Sequence, residues 1–221
     1  MTPLLTDAFR ASVADYRYLL ERGYSDSSAL KLVGDRHQLS AVQRTMLYRG
    51  IAAGNAARAR AAKLVDGARD KELFVDGLNV LYTIANYLHG RALFIADDGF
   101  LRDAGELHGR DFPEPGGRPA ALLVERLAAE GVSAATFFLD APVSHSGELA
   151  RSLRELLERE GIPGDALTVR SADYELKRCT SGIISSSDSA VISAAQCPVF
   201  DLARAVLAAA YSPELIDLRS L

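Results

Sequence analysis

Three times in this sequence an apolar run of strand-forming residues ends on, or shortly before, an aspartate. Leu73-Phe74-Val75-Asp76 and Thr136-Phe137-Phe138-Leu139-Asp140 do so directly, and Ile183-Ile184-Ser185-Ser186-Ser187-Asp188 does so after a run of serines. Parallel strands all finish at one edge of their sheet, so side chains just past those ends converge on one crevice. A crevice lined by carboxylates offers the hard oxygen donors that Mg²⁺ or Mn²⁺ takes. Asp76, Asp140 and Asp188 are therefore the candidate metal ligands.

Each of these residues also has an ordinary structural role open to it. Gly77 allows a sharp exit from the strand after Asp76, and Asn79 stands where a helix begins, a position suited to an N-cap. With that helix starting at Asn79, Asp76 falls outside the capping position, which favours a ligand role. Asp140 precedes Ala141-Pro142 and can brace a turn, with Ser144 or Ser146 capping the helix that follows. Asp188 heads a short helix and can stabilise its N-terminus; the same geometry, with the Ser186 and Ser187 hydroxyls, suits a phosphate or a water. Asp173, in Ser171-Ala172-Asp173 just past a strand near 167–169, is a fourth candidate. Asp97 and Asp98 follow Phe94-Ile95 but precede Gly99, an ordinary turn, and are set outside the site; His145 is given no role.

The elements that must position these residues follow from periodicity. Short apolar runs near 73–76, 92–95, 135–139, 167–169, 182–185 and 198–200 read as strands. Helical patterns over 79–88, 118–129, 147–159, 189–195 and 202–210 alternate with them, which is the grammar of an α/β domain with a largely parallel sheet. Residues 1–70 read as a small all-α module in front of an α/β domain over 71–221. In the module, Phe9, Val13, Tyr16 and Leu20 fall at helical spacing, Ser25-Asp26 opens a second helix, and Ser40 with Gln43 forms a capping box for a third. A further Ala-rich helix is expected over 51–70. The helices around Gly34–Ser40, with Arg36, His37, Arg44 and Arg49 nearby, resemble a helix-turn-helix, though a plain bundle gives the same pattern. The long loop over 105–117 is expected to border the site.

Composition narrows the function classes. Residues 1–70 carry eleven Lys and Arg against seven Asp and Glu, and the rest of the chain fourteen against twenty-two, a modest asymmetry compatible with a polyanionic partner for the N-terminal module. Cys179 and Cys197 lack the spacing of a zinc site or a disulfide framework and read as inert thiols. No apolar stretch is long enough to span a bilayer and residues 1–7 lack signal-peptide character, so a cytoplasmic protein without membrane contact is expected. There is no GxxxxGK[ST] loop, no GxGxxG after a strand and no GxSxG elbow, which argues against a P-loop NTPase, a dinucleotide enzyme and a serine hydrolase. An aspartyl-phosphate phosphatase would place a second aspartate two residues after the first, where Leu78 stands.

Val75-Asp76-Gly77-Leu78-Asn79-Val80 resembles the first motif of PIN-like nucleases, especially their NYN branch, and Ser186-Ser187-Asp188-Ser189 resembles their later Ser/Thr-x-Asp motif. The whole chain is similar to a prokaryotic family in which a helical module, domain of unknown function 434, precedes a PIN-like domain; Tyr16-Arg17-Tyr18-Leu19-Leu20 and Leu32 to Ser40 are the matching stretches. The resemblance implies a Rossmann-like three-layer fold and Mg²⁺- or Mn²⁺-dependent cleavage of RNA. It makes Asp76, Asp140 and Asp188 the acidic motif positions, with Asp173 a looser fit; Asn79, Ser186 and Ser187 would position substrate or water. Ser189-Ala190 departs from it where many NYN proteins carry a second aspartate. Two alternatives stand beside this reading: a PIN-like RNA-binding or regulatory protein without turnover, and a small-nucleotide phosphohydrolase. The N-terminal module is a candidate contact for nucleic acid or protein, and homo-oligomerisation is left open.

Overall fold

Capping side chains set where the chain first becomes helical. Thr6, Ser25 and Ser40 each accept a hydrogen bond from the N–H three residues on, opening α1 (Asp7–Glu21), α2 (Asp26–Arg36) and α3 (Ala41–Gly50). At Ser40 the Gln43 carboxamide accepts the Ser40 N–H in return, so the capping box is formed. The computed structural model describes residues 4–105 and 117–221.

The helix expected over 51–70 is shorter: α4 spans Gly54–Ala61, and Leu64–Val65 forms β1 by pairing in parallel with Val199–Phe200. A two-residue edge strand held by a partner far along the chain leaves no periodicity to read. The chain then runs β2 (Glu72–Asp76), α5 (Gly77–Leu88), β3 (Leu93–Ile95), β4 (Leu101–Asp103), α6 (Arg118–Glu130), β5 (Ala134–Asp140), α7 (Ser146–Arg159) and β6 (Gly164–Val169). It continues through α8 (Ala172–Arg178), β7 (Ile183–Ser185), α9 (Ser189–Ala194), β8 (Val199–Phe200), α10 (Leu202–Tyr211), β9 (Ile216–Asp217) and a 3-10 turn at Leu218–Ser220. Of the long loop expected over 105–117, residues 106–116 lie outside the described residues.

Six strands form one parallel sheet in the order β1-β8-β7-β2-β5-β6. Its central strands are apolar on both faces because both are covered. Leu73 and Val75 of β2, and Ala135, Phe137 and Leu139 of β5, pack with α5, α6, α7 and α10 on one side. Phe74 and Phe138 face α8 and α9 on the other, their rings stacked at 6.3 Å. The result is a three-layer α/β domain with an all-helical region before it.

The strand near 92–95 does not join that sheet. As β3 it pairs with β4 in an antiparallel hairpin and with β9 in parallel, making a separate three-stranded sheet. Phe94, Ala96 and Leu218 from this sheet and its flanks complete the core of the helical module, against Phe9, Val13, Tyr16, Met46 and Leu47. Among the described residues no helix is long and apolar enough to cross a membrane.

Candidate functional site

The sheet order reverses at β2. From β2 the chain moves outward to β5 and β6 on one side, then returns to β7 and β8 on the other. Loops leaving the carboxyl ends of β2 and β7 therefore diverge and open a crevice, the place where open α/β sheets bind ligands. Asp76 ends β2 and Ser186-Ser187-Asp188 follows β7, so two of the strand-end aspartate patterns meet at this point.

Asp76 is only 5% exposed. The Ser186 hydroxyl donates to its Oδ2 at 2.9 Å, and the Asn79 N–H to its Oδ1 at 3.4 Å. Asn79 Oδ1 in turn accepts from the N–H (2.8 Å) and hydroxyl (2.9 Å) of Ser187, while the Asp188 N–H donates to Ser186 Oγ at 3.1 Å. These bonds lock the β2 and β7 loops together across the crevice floor. Burial pushes the Asp76 carboxyl up to about 7; the bonds from Ser186 and Asn79 oppose the rise, and the negative charges of Asp173 and Asp140 add to it.

Asp140 ends β5, beside β2, and its Oδ1 accepts the Ala172 N–H at 2.9 Å, which ties β5 to α8. α8 packs over β2 and β5 and carries Asp173, whose carboxylate pairs with Lys177 at 3.2 Å. Asp188 is half-buried and caps α9, its Oδ1 accepting from Ala190 (2.7 Å) and Val191 (3.1 Å). Thus Asp140 and Asp173 act electrostatically on Asp76, and Asp188 joins it through Ser186. Among the described residues no group of three or more His, Cys, Asp or Glu side chains is placed to hold a metal ion. The donor chemistry nonetheless suits Mg²⁺, which is commonly held by one or two carboxylates with water completing its shell. Asp76 is a buried carboxylate with two anionic neighbours and, among the described residues, no pairing cation.

Local geometry corrects three details. α5 begins at Gly77, so Asp76 itself holds the N-cap position and Asn79, the third helical residue, is free to bridge to Ser187. Gly77 has no left-handed φ; a Cβ there would lie 2.5 Å from Leu139 Cδ2 and 3.2 Å from the Phe138 carbonyl, so it is the close approach of α5 to β5 that demands glycine. α7 starts at Ser146 with His145 in the capping position at φ 64°, and neither Ser144 nor Ser146 serves as its cap.

The remaining charged candidates hold the site from behind. Asp97 pairs with Arg17 at 2.8 Å. Asp98 is buried and receives both terminal nitrogens of Arg102 (2.7 and 2.8 Å) and Arg60 of α4 (2.6 Å), while Arg102 Nε donates to the Ser187 carbonyl at 2.9 Å. The basic residues of the helix-turn-helix-like segment are also engaged internally: Arg36 and His37 with Asp15, Arg44 with Asp35, and Arg49 with Asp103. Cys179 and Cys197 are free thiols raised by burial, Cys179 to about 11, which leaves little reactive thiolate at neutral pH.

Asp201 escaped the sequence reading although Val199-Phe200-Asp201 repeats the same pattern. It is buried at the start of α10 and accepts from the N–H of Leu101 (2.7 Å) and of Arg204 (3.1 Å); burial raises it to about 6 despite those bonds. Because the folded state holds this proton to higher pH than the unfolded chain, the fold loses stability as pH climbs from about 4 to about 6, by about 3 kcal/mol, and no further above that. Denaturant titrations of Asp201→Asn across this window are expected to lack that decline relative to the parent chain.

Residues 65–205 match the family model described as "Domain of unknown function (DUF5616)", and residues 8–63 that described as "Protein of unknown function (DUF434)". The two matches meet at β1, where the helical region gives way to the sheet. The chain is 31% identical over 181 residues to Uncharacterized protein MJ0935 of Methanocaldococcus jannaschii, a span of 80% of this chain and 86% of that protein. No solved structure matches.

Proposed function

We propose that this chain, which belongs to the family described as Domain of unknown function (DUF5616) and carries the DUF434 segment in front of it, is a cytoplasmic Mg²⁺- or Mn²⁺-dependent ribonuclease of the PIN-like, NYN-related kind. The observation that carries the reading is Asp76: a carboxylate at the switch point of the sheet, buried without a pairing cation among the described residues and raised to about 7 beside Asp140 and Asp173. Such a group is held in an unfavourable state that a divalent cation relieves. Asp76, with the neighbouring Asp140 and with water completing the shell, would hold the ion. Asp173 is paired with Lys177, and Asp188, expected as a third ligand, instead caps α9 on the β7 side of the crevice. When bound, the ion supplies a water of lowered pKa and neutralises charge on the phosphoryl oxygens. Ser186 fixes one Asp76 oxygen by donating to it, and Asn79 fixes Ser187, so the crevice floor is rigid before substrate arrives.

The test is incubation of the purified chain with end-labelled single-stranded RNA. Cleavage is expected with Mn²⁺ or Mg²⁺ and none in EDTA. A second reading is favoured by one observation: Asp140, Asp173 and Asp188 each already have an intramolecular partner, as in a domain that binds RNA without turning it over. RNA retained on a gel yet intact in every divalent metal supports that reading and overturns the first. Phosphate release from a nucleotide panel, with RNA untouched, would identify a small-nucleotide phosphohydrolase instead.

A further inference from the structure

A cavity of about 310 Å³ opens where α3 of the helical region faces the loop after β7. Tyr48, Arg49 and Asp26 line it from the helical side, and Arg102, Ser187 and Asp188 from the sheet side. Tyr48 leaves 55% of its surface exposed and, unlike the equally exposed Tyr18, Tyr24 and Tyr174, lines this cavity. Arg49 is 29% exposed and paired through one terminal nitrogen with the Asp103 carboxylate and carbonyl, so it lines the cavity as a hydrogen-bond donor held in place rather than as a free charge. Arg102 is neutralised by Asp98 and contributes shape rather than charge. The cavity adjoins the carboxylate crevice: the Asp188 N–H meets Ser186 Oγ at 3.1 Å, and the same serine donates to Asp76 at 2.9 Å, so one residue separates the two.

An aromatic face, a held arginine and carboxylates able to accept base N–H groups are the elements that recognise an unpaired nucleotide. We propose that this cavity is a nucleotide subsite, in which the unit of single-stranded RNA next to the position of cleavage stacks its base on Tyr48 and sets its sugar-phosphate against Arg49. The inference rests on reading the crevice as an RNA site, and it gives the DUF434 segment a direct part in holding substrate. Arg60 and Arg49 keep that segment seated through Asp98 and Asp103, which makes the subsite a built feature of the full chain.

The experiment measures fluorescence anisotropy of short fluorescein-labelled single-stranded RNA on the full-length protein in EDTA, where binding is read without cleavage. Tyr48→Ala is expected to weaken binding by about tenfold, Tyr48→Phe to retain it within about twofold, and Tyr24→Ala, at an equally exposed tyrosine outside the cavity, to leave it unchanged. Equal affinity for Tyr48→Ala and the parent chain, or equal losses in Tyr48→Ala and Tyr24→Ala, would overturn the subsite, as would absence of RNA binding altogether. Asp76→Asn separates this from the nuclease reading. If neither it nor the parent cleaves RNA with Mn²⁺ while the Tyr48 effect persists, the nuclease assignment fails and the subsite stands.

Discussion

Asp76→Asn is expected to remove Mn²⁺-dependent RNA cleavage almost completely, by about 10³-fold, while making the metal-free fold more stable. The two effects have one cause. A metal ion in the crevice contributes several kcal/mol of charge stabilisation to phosphoryl transfer, and each 1.36 kcal/mol lost is tenfold in rate. In the absence of metal the same carboxylate is a liability: it is 5% exposed, lies within the field of Asp173 and Asp140, and its carboxyl is raised from 3.8 to about 7. A carboxyl raised on folding favours the folded state only while protonated, so stability falls as pH rises from about 4 to about 7 and stays lower above. An asparagine carries no charge to bury, and Ser186, now accepting from the new amide, can keep the loops joined. At pH 8 the variant is therefore expected to gain about 1–3 kcal/mol, a difference that vanishes toward pH 4. Thermal melts of both proteins, with and without Mn²⁺, check it: Mn²⁺ should raise the melting temperature of the parent chain and not of the variant. A variant that cleaves RNA as well as the parent would remove Asp76 from the site.

Arg102→Met is expected to destabilise the chain by about 2–3 kcal/mol, below the roughly 3–5 kcal/mol for a buried charge left with no partner, because Asp98 loses one of its two arginines. Arg102 is 2% exposed and holds Asp98 with two nitrogens and the Ser187 carbonyl with the third. Burial alone would raise the Asp98 carboxyl, but Arg102 and Arg60 overcome it and hold the group below the ordinary carboxylate range. The stability contributed by that ionised form is present at neutral pH and disappears as pH falls through the depressed value. Arg60 remains after the substitution, so Asp98 is weakened rather than abandoned. Urea denaturation at pH 7 reads the loss. An Asp98→Asn, Arg102→Met double variant should recover part of the stability, because no buried anion is left over, yet not the placement of Ser187. RNA binding and cleavage should stay impaired in the double variant even as its melting temperature rises. Recovery of both together would mean that Arg102 acts on stability alone.

Much of this was legible because the signals are local. The strands β2 and β5 announce themselves as apolar runs, since a parallel strand covered on both faces needs apolar residues at every position. Ser40 and Gln43 form their capping box from residues three apart. The strands that went unseen, β1, β4 and β9, have two or three residues each and exist because distant segments pair with them. α8, which carries Asp173, is a seven-residue helix with equally little pattern to detect.

By itself, then, the sequence determined that carboxylates would stand at the ends of parallel strands, because apolar run and terminal aspartate are neighbours along the chain. Only the tertiary structure decided what each carboxylate does. Asp76, Asp140, Asp97, Asp98, Asp188 and Asp201 all follow strand-like runs, yet Asp97 and Asp98 are neutralised by arginines from α1, α4 and the hairpin. Asp188 and Asp201 cap helices. Asp76 is left without a pairing cation, among the described residues, because the strand order sets β2 between β5 and β7 and brings two further anions to its side. That order arises from crossovers tens of residues long. A charge acts through distance in space, and no local stretch of the chain encodes which distances close.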